Sequence, residues 1–281
     1  MRVAVVGHVE WCHFAPVDHV PAVGEIVQAP EGWEQPAGGG AVAAVQIARL
    51  AGECLFLTAL GDDELGHRSK RDLEELGLRV EAAFRPEPQR RGFVHLDSDG
   101  ERTITTIGER LEPRGADSLP WEELEGADAV YVTAGDMGAA RAARAAKQVV
   151  ATVRARHAFA GSGVTLDVLV ASATDRGEGY HPGDVEPAPR AVVLTEGKDG
   201  GILETGGEQV HWPAPPLPGP KVDSYGAGDS FAGGLTCGLG AGHAIEEAIA
   251  LGARCGAACA TGRGPYGAQL AASSLDETMS R

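Results

Sequence analysis

Val222-Asp223-Ser224-Tyr225-Gly226-Ala227-Gly228-Asp229-Ser230-Phe231-Ala232-Gly233-Gly234 is the stretch on which the fold of this chain turns. The proline-rich run at 212–220 enters it in extended form, Gly-Ala-Gly makes a turn, and a helix is expected from about Asp229. The amides of Gly226, Ala227 and Gly228 then point outward at the positive end of that helix, an arrangement that holds phosphoryl oxygens. Small residues matter there because a bulky side chain would keep an anion away from the amides. Asp229 stands where a hydroxyl would approach, and a carboxylate there can orient it and take its proton. Alone, the stretch reads at least as well as a capped helix with Asp in its first turn.

Outward from that stretch, short β-rich runs alternate with longer helical ones. Buried strands are expected over 3–7, 55–60, 129–133, 168–171 and 192–195, and helices over 41–51, 64–76, 139–154, 229–239 and 245–261. Strands buried on both faces and separated by helices imply an α/β fold, a mostly parallel sheet with helices on each side. Phe93–Asp97 and Glu101–Ile107, joined through Asp99-Gly100, read as a β-hairpin. With 24–34 it forms either a small sheet over a cleft or an ordinary edge hairpin. One domain over 1–270 is expected, with lid segments at about 10–36 and 88–110 and a flexible tail over 271–281.

The net charge of −16 excludes a nucleic-acid binder and disfavours an anionic membrane surface. It does not exclude a nucleotide, which a local nest of amides can hold. No apolar run is long enough to span a bilayer, and the N-terminal Met1-Arg2-Val3-Ala4-Val5-Val6-Gly7 reads as a first buried strand rather than a leader. The five cysteines are odd in number and lack paired spacing, which points to reduced thiols and a cytoplasmic location. Cys255 and Cys259, four apart, read as small apolar residues on one helix face.

The quoted stretch resembles the C-terminal signature of the ribokinase family, the PfkB carbohydrate kinases, which runs Asp-Thr-Thr-Gly-Ala-Gly-Asp-Ser-Phe. Seven of the nine positions from Asp223 to Phe231 agree, and the two changes, Ser224 and Tyr225, precede the glycines. Further resemblances lie at Gly38-Gly39-Gly40 with Ala48-Arg49-Leu50, at Gly61-Asp62-Asp63-Glu64-Leu65-Gly66, at Thr195-Glu196-Gly197-Lys198-Asp199-Gly200 and at Thr261-Gly262-Arg263-Gly264. They cover nearly the whole chain in the family's order.

The resemblance implies a ribokinase-like three-layer α/β/α fold with a small β-sheet lid, using ATP and Mg2+, with a monovalent cation as a further candidate. It makes Asp229 the catalytic base and Gly226, Ala227 and Gly228 the anion hole. It assigns Glu10, Cys12, Gly38, Gly39, Gly40 and Arg110 to the substrate, and Ser172, Asp175, Thr195, Glu196, Gly197, Gly200 and Gly262 to the nucleotide. Asp175 would act on the metal through water, and Asp223 is a second candidate for a cation. A homodimer through the lid is also implied.

There are departures. The family's sugar-binding Asp falls at Cys12, its glycine-signature Asn at Val42, and its Asn-x-x-Glu motif on Ser172-Ala173-Thr174-Asp175. The expected activity is transfer of a phosphoryl group from ATP to a hydroxyl of a sugar-like small molecule. Alternatives are a sugar- or nucleotide-binding regulator that kept the fold and lost catalysis, and a nucleoside kinase. Arg90, Arg91, Arg102 and Arg110 beside the hairpin suit an acidic or phosphorylated substrate, or balance surface acids.

Overall fold

Val3–His8 (β1) is buried along its whole length. Val3 and Val5 face one apolar cluster and Ala4 and Val6 the other, so the strand lies between two layers, as its uninterrupted apolar sequence requires. The structure is a computed structural model and describes residues 1–175 and 177–273. In chain order the other strands are β2 (Glu10–Pro16), β3 (Trp33–Ala37), β4 (Cys54–Gly61), β5 (Leu78–Arg85), β6 (Arg91–Leu96), β7 (Arg102–Ile107), β8 (Ala129–Val132), β9 (Gln148–Thr152), β10 (Val168–Ser172), β11 (Ala191–Thr195), β12 (Gly201–Thr205) and β13 (Glu208–Trp212). The helices are α1 (Gly39–Ala51), α2 (Glu64–Glu75), α3 (Met137–Ala143), α4 (Arg156–Phe159), α5 (Ala227–Gly240) and α6 (Ile245–Cys259).

The large sheet runs β13-β12-β11-β10-β9-β8-β1-β4-β5. It is parallel from β5 to β11, with β12 and β13 added antiparallel at one edge. One face is covered by α1, α2, α5 and α6, the other by the shorter α3 and α4. A Cβ on Gly234 would lie 2.6 Å from Cys255 Sγ, and one on Gly238 2.7 Å from Ala248 Cα. Glycine there lets α5 and α6 pack at close range. All five cysteines are buried and unpaired.

The small sheet runs β3-β2-β6-β7. Its hairpin β6–β7 turns at residues 97–101, where Asp97 Oδ1 accepts the amides of Asp99 and Glu101. Two of its expected members differ. The segment 24–34 contributes only its last two residues, Trp33 and Glu34, and β2, inside the expected lid segment 10–36 but not expected as a strand, pairs between β3 and β6.

The helix expected over 139–154 is also corrected. It ends at Ala143, and Gln148-Val149-Val150-Ala151-Thr152 enters the sheet between β8 and β10. The alanines favour helix, but the β-branched run fills a buried slot between two strands, and tertiary packing outweighs local propensity. Of the tail expected over 271–281, residues 274–281 lie outside the described residues. Among the described residues no helix is long and apolar enough to cross a membrane.

Candidate active site

From β1 the chain builds the sheet outward through β4 and β5 on one side and through β8 to β11 on the other. Such a reversal leaves a crevice at the carboxyl ends of the strands, where ligands bind in open α/β sheets. His8 ends β1 and Thr133 follows β8, and His8 Nδ1 lies 3.3 Å from Thr133 Oγ1. A Cβ on Gly7 would lie 2.9 Å from Gly40 Cα, so glycine there lets the N-terminus of α1 settle over the crevice. A Cβ on Gly39 would lie 2.8 Å from Asp229 Oδ1. The first turns of α1 and α5 thus meet with the Asp229 carboxylate between them.

Gly226 caps α5 with φ +82°, and a side chain there would strike Pro265 and Val42. The Ala227 amide makes a long 3.4 Å contact to Ser224 O. Those of Gly226, Gly228 and Asp229 have no acceptor among the described residues. Gly228 is exposed, and nothing lies within 4 Å of where its Cβ would be. No protein neighbour requires glycine at 228, and glycine within a helix costs roughly 0.5–1 kcal/mol relative to alanine.

Asp229 is half-buried at the floor of the crevice, and its pKa is raised to about 7. Burial is the main cause and the nearby charge of Glu178 the second, with Arg102 and Arg154 opposing. Glu178 carries no recognisable motif and was not singled out from sequence. It sits in the loop after β10, where its carbonyl accepts from the Ser172 amide at 3.0 Å. Ser172 Oγ in turn accepts from the Asp175 amide at 3.1 Å, so the serine organises this loop in place of the family's asparagine. Arg154 holds both acids, reaching Asp175 Oδ2 at 2.9 Å and Glu178 Oε1. It too was missed, because it lay at the end of the misassigned helix.

Glu10 is buried and Arg90 Nε approaches its Oε1 to 2.9 Å. Arg90 is placed by Gln89, whose side chain donates to Val9 O and whose amide donates to Asp63 Oδ2, while Asp63 also caps α2. This gives the Gly61-Asp62-Asp63 motif a positioning role. Burial pushes Glu10 above the usual carboxylate range against the pull of Arg90, Arg110 and Arg154. Burial and the charges of Arg110, Arg90 and Arg154 hold His8 well below its ordinary value, and so neutral.

Gly38 backs onto Glu10, where a Cβ would lie 3.1 Å from the Glu10 amide. Cys12 is a correction. It is fully buried, its Sγ lies 3.4 Å from Tyr225 Oη, and its pKa is pushed up to about 12, mainly by burial. It packs beneath the site and offers substrate no contact. Gly92 lies over the thiol, since a Cβ there would come within 2.8 Å of Cys12 Sγ.

Thr195, Glu196, Gly197 and Gly200 form the turn after β11, with Gly197 at φ +61° and open around its Cβ direction, and Gly200 at φ +90° packed against Trp212 O. Gly262 is buried against Ala268 and serves packing. Asp223 is buried. Its oxygens accept from the Tyr225 amide at 2.7 Å and the Gly264 amide at 2.9 Å, so it ties the approach to the anion hole onto the loop after α6. Among the described residues no group of three or more His, Cys, Asp or Glu side chains could hold a metal ion.

Paired helix N-termini, open amides and a carboxylate of raised pKa define a phosphotransferase site on a three-layer α/β fold. The pfkB family carbohydrate kinase model matches residues 1–173 and 184–271. The chain belongs to that family, whose members are ATP-dependent phosphotransferases. It is 28% identical to an ATP-dependent ribose-1-phosphate kinase of Halopiger xanaduensis, over 96% of each chain. Among solved structures it resembles a ribokinase from Thermotoga maritima (TM-score 0.78, 22% identity, all of both chains). It also resembles the Arabidopsis thaliana ribokinase complexed with ribose and ATP (TM-score 0.72, 21% identity, 94% of this chain and 93% of that one).

Proposed function

We propose that this kinase transfers the γ-phosphoryl group of ATP to a hydroxyl of a sugar, with Asp229 as the base. The observation that carries the reading is the contact of the two helix starts around Asp229, where a Cβ on Gly39 would lie 2.8 Å from its Oδ1. An acceptor hydroxyl at that carboxylate faces the open amides of Gly226, Gly228 and Asp229, which receive the charge of the phosphoryl group in transit. Phosphoryl transfer asks mainly for positioning and charge neutralisation, and one carboxylate with a pKa of about 7 serves as base near neutral pH. Thr195, Glu196, Gly197 and Gly200 line the nucleotide side.

Mg2+ suits the acids present. The ion is commonly held through water by one or two carboxylates together with phosphate oxygens. Asp175 and Glu178, bridged by Arg154 and near Asp229, provide that pair. When bound, the ion would neutralise phosphate charge. Each Asp223 oxygen accepts a single amide and keeps a lone pair, so the loop remains a candidate for a monovalent cation.

The relative named for ribose 1-phosphate supports a pentose-sized acceptor. We read the small sheet as a lid made from 10–36 and 88–110. Its tip already touches the main body, since Ser224 N donates to Gly100 O at 2.8 Å. The outer strand β7 is exposed along its length and is the edge where a second copy would pair; a monomeric mass in solution would remove that expectation. ADP release driven by a sugar panel tests the whole assignment. It is sunk if no acceptor stimulates release, or if Asp229→Asn releases ADP as fast as the native chain.

A further inference from the structure

Two cationic side chains occupy two of the four passages of chain between the sheets. Arg90 lies where the chain leaves the large sheet for β6, and Arg110 where it returns after β7. Both are largely withdrawn from water, and the Nε–H of each is buried without a hydrogen-bond acceptor among the described residues. Arg90 has a neighbouring charge in Glu10, 2.9 Å away, but not the alignment of a hydrogen bond. Arg110 has no ion pair among the described residues.

Acids were available to it. Glu109 and Glu112 border the same cavity of about 110 Å3 that Arg110 lines. Glu112 instead lies 3.1 Å from His157 Nε2, and Glu109 makes no ion pair among the described residues. The two guanidinium groups also feel each other. Burial and then the charge of Arg90 disfavour the charged form of Arg110.

In a chain of net charge −16, two adjoining half-buried arginines with orphaned N–H groups are a costly arrangement. A sugar presenting only hydroxyls can accept from these N–H groups but leaves the paired positive charge uncompensated. An anion compensates it, and the planar fork of arginine matches phosphate and carboxylate oxygens. Resting on the kinase reading above, we infer that the acceptor carries an anionic group, a phosphate or a carboxylate, seated on Arg110 and Arg90. Glu10 then orients Arg90 and leaves Arg110 to carry most of the recognition. Because the arginines sit on two of the passages between the sheets, the anion would also tie the small sheet to the large one.

The test uses the full chain with ATP and Mg2+, reading ADP release on three acceptor sets: ribose and fructose, ribose 1-phosphate and ribose 5-phosphate, and sugar acids such as gluconate. At least tenfold higher kcat/KM for a charged set than for the neutral one is expected, and whichever charged set prevails names the anion. Arg110→Gln is expected to raise KM for that acceptor about 10–100-fold with KM for ATP within twofold, and Arg110→Lys to recover part of it. Preference for the neutral set, or an equal loss in Arg110→Gln on neutral and charged acceptors, overturns the inference while leaving a kinase. Silence of every acceptor would sink the kinase reading itself. The melting shift given by ribose 5-phosphate then decides the anion site alone: present in the native chain and absent in Arg110→Gln supports it, and equal shifts refute it.

Discussion

The two ends of the crevice are made of different material. At the phosphoryl end the working groups are backbone amides and one short carboxylate, held by the starts of α1 and α5. At the proposed acceptor end they are long side chains, Glu10 at the start of β2 and Arg90 and Arg110 on passages between the two sheets. A backbone site has few solutions, since glycine must stand wherever chain or ligand comes close, and its spacing is preserved in sequence. A side-chain site can be rebuilt from any chain segment that reaches it. On the proposed reading, one end fixes the reaction and the other fixes what undergoes it.

That contrast can be broken most decisively at Asp229. Asp229→Asn keeps the shape and removes the base, so kcat should fall by roughly 10²–10⁴-fold with KM for ATP little changed, as read by ADP release. Loss of ATP affinity with kcat retained would mean that residue 229 belongs to the nucleotide rather than to the proton. Gly39→Ala comes next. Its methyl would sit 2.8 Å from the carboxylate oxygen, at a residue whose backbone is not left-handed. The fold should persist while kcat falls by about 10–100-fold through a displaced base. A melting temperature near native together with native turnover would show that the helix starts need not touch.

A subtler separation comes from pH. A carboxylic acid of pKa about 7 is mostly protonated below that value and cannot accept a proton. The kcat should therefore drop about tenfold per pH unit well below 7 and level off above it. Glu178→Gln removes the second cause of the raised value, so the midpoint of the profile should move to lower pH whatever happens to the plateau. An unmoved midpoint would place Glu178 outside the electrostatic reach of Asp229. The smallest effect is expected at the tip of the small sheet, where Glu101 meets Lys221 and accepts from Ser224 Oγ at 3.1 Å. These groups are exposed, so Glu101→Gln should alter KM for acceptor by no more than about twofold.

The sequence made the layers legible because five parallel strands are uninterrupted apolar runs, and β1, β4, β8, β10 and β11 all fall where the pattern places them. It hid β9 behind alanines, and with it Arg154. It hid β5, whose exposed Arg79 and half-buried Glu81 break the apolar run. It also hid β12 and β13, although Gly206-Gly207 between them is a hairpin signal open to reading. Within the site, Asp229 and the glycines around it stand out through their match to the family signature, since alone the stretch reads as well as a capped helix. Glu178 does not, since its closeness to Asp229 depends on how the loop after β10 folds back onto Ser172. Cys12 misleads for the opposite reason, because its position in the chain matches a ligand while its side chain is turned into the core beside Tyr225.

The hairpin tip and the phosphate cradle share a single lever. Ser224 hangs from Gly100, and the cradle begins two residues later at Gly226. Whatever draws the hairpin down also braces the peptide groups that must greet the incoming phosphate. A molecule so wired would be expected to leave ATP almost untouched by water until an acceptor arrives. Comparing the acceptor-free ATPase rate of the native chain with that of Gly100→Ala, whose methyl would press 2.7 Å from Val222 O, reads how tightly that restraint is set.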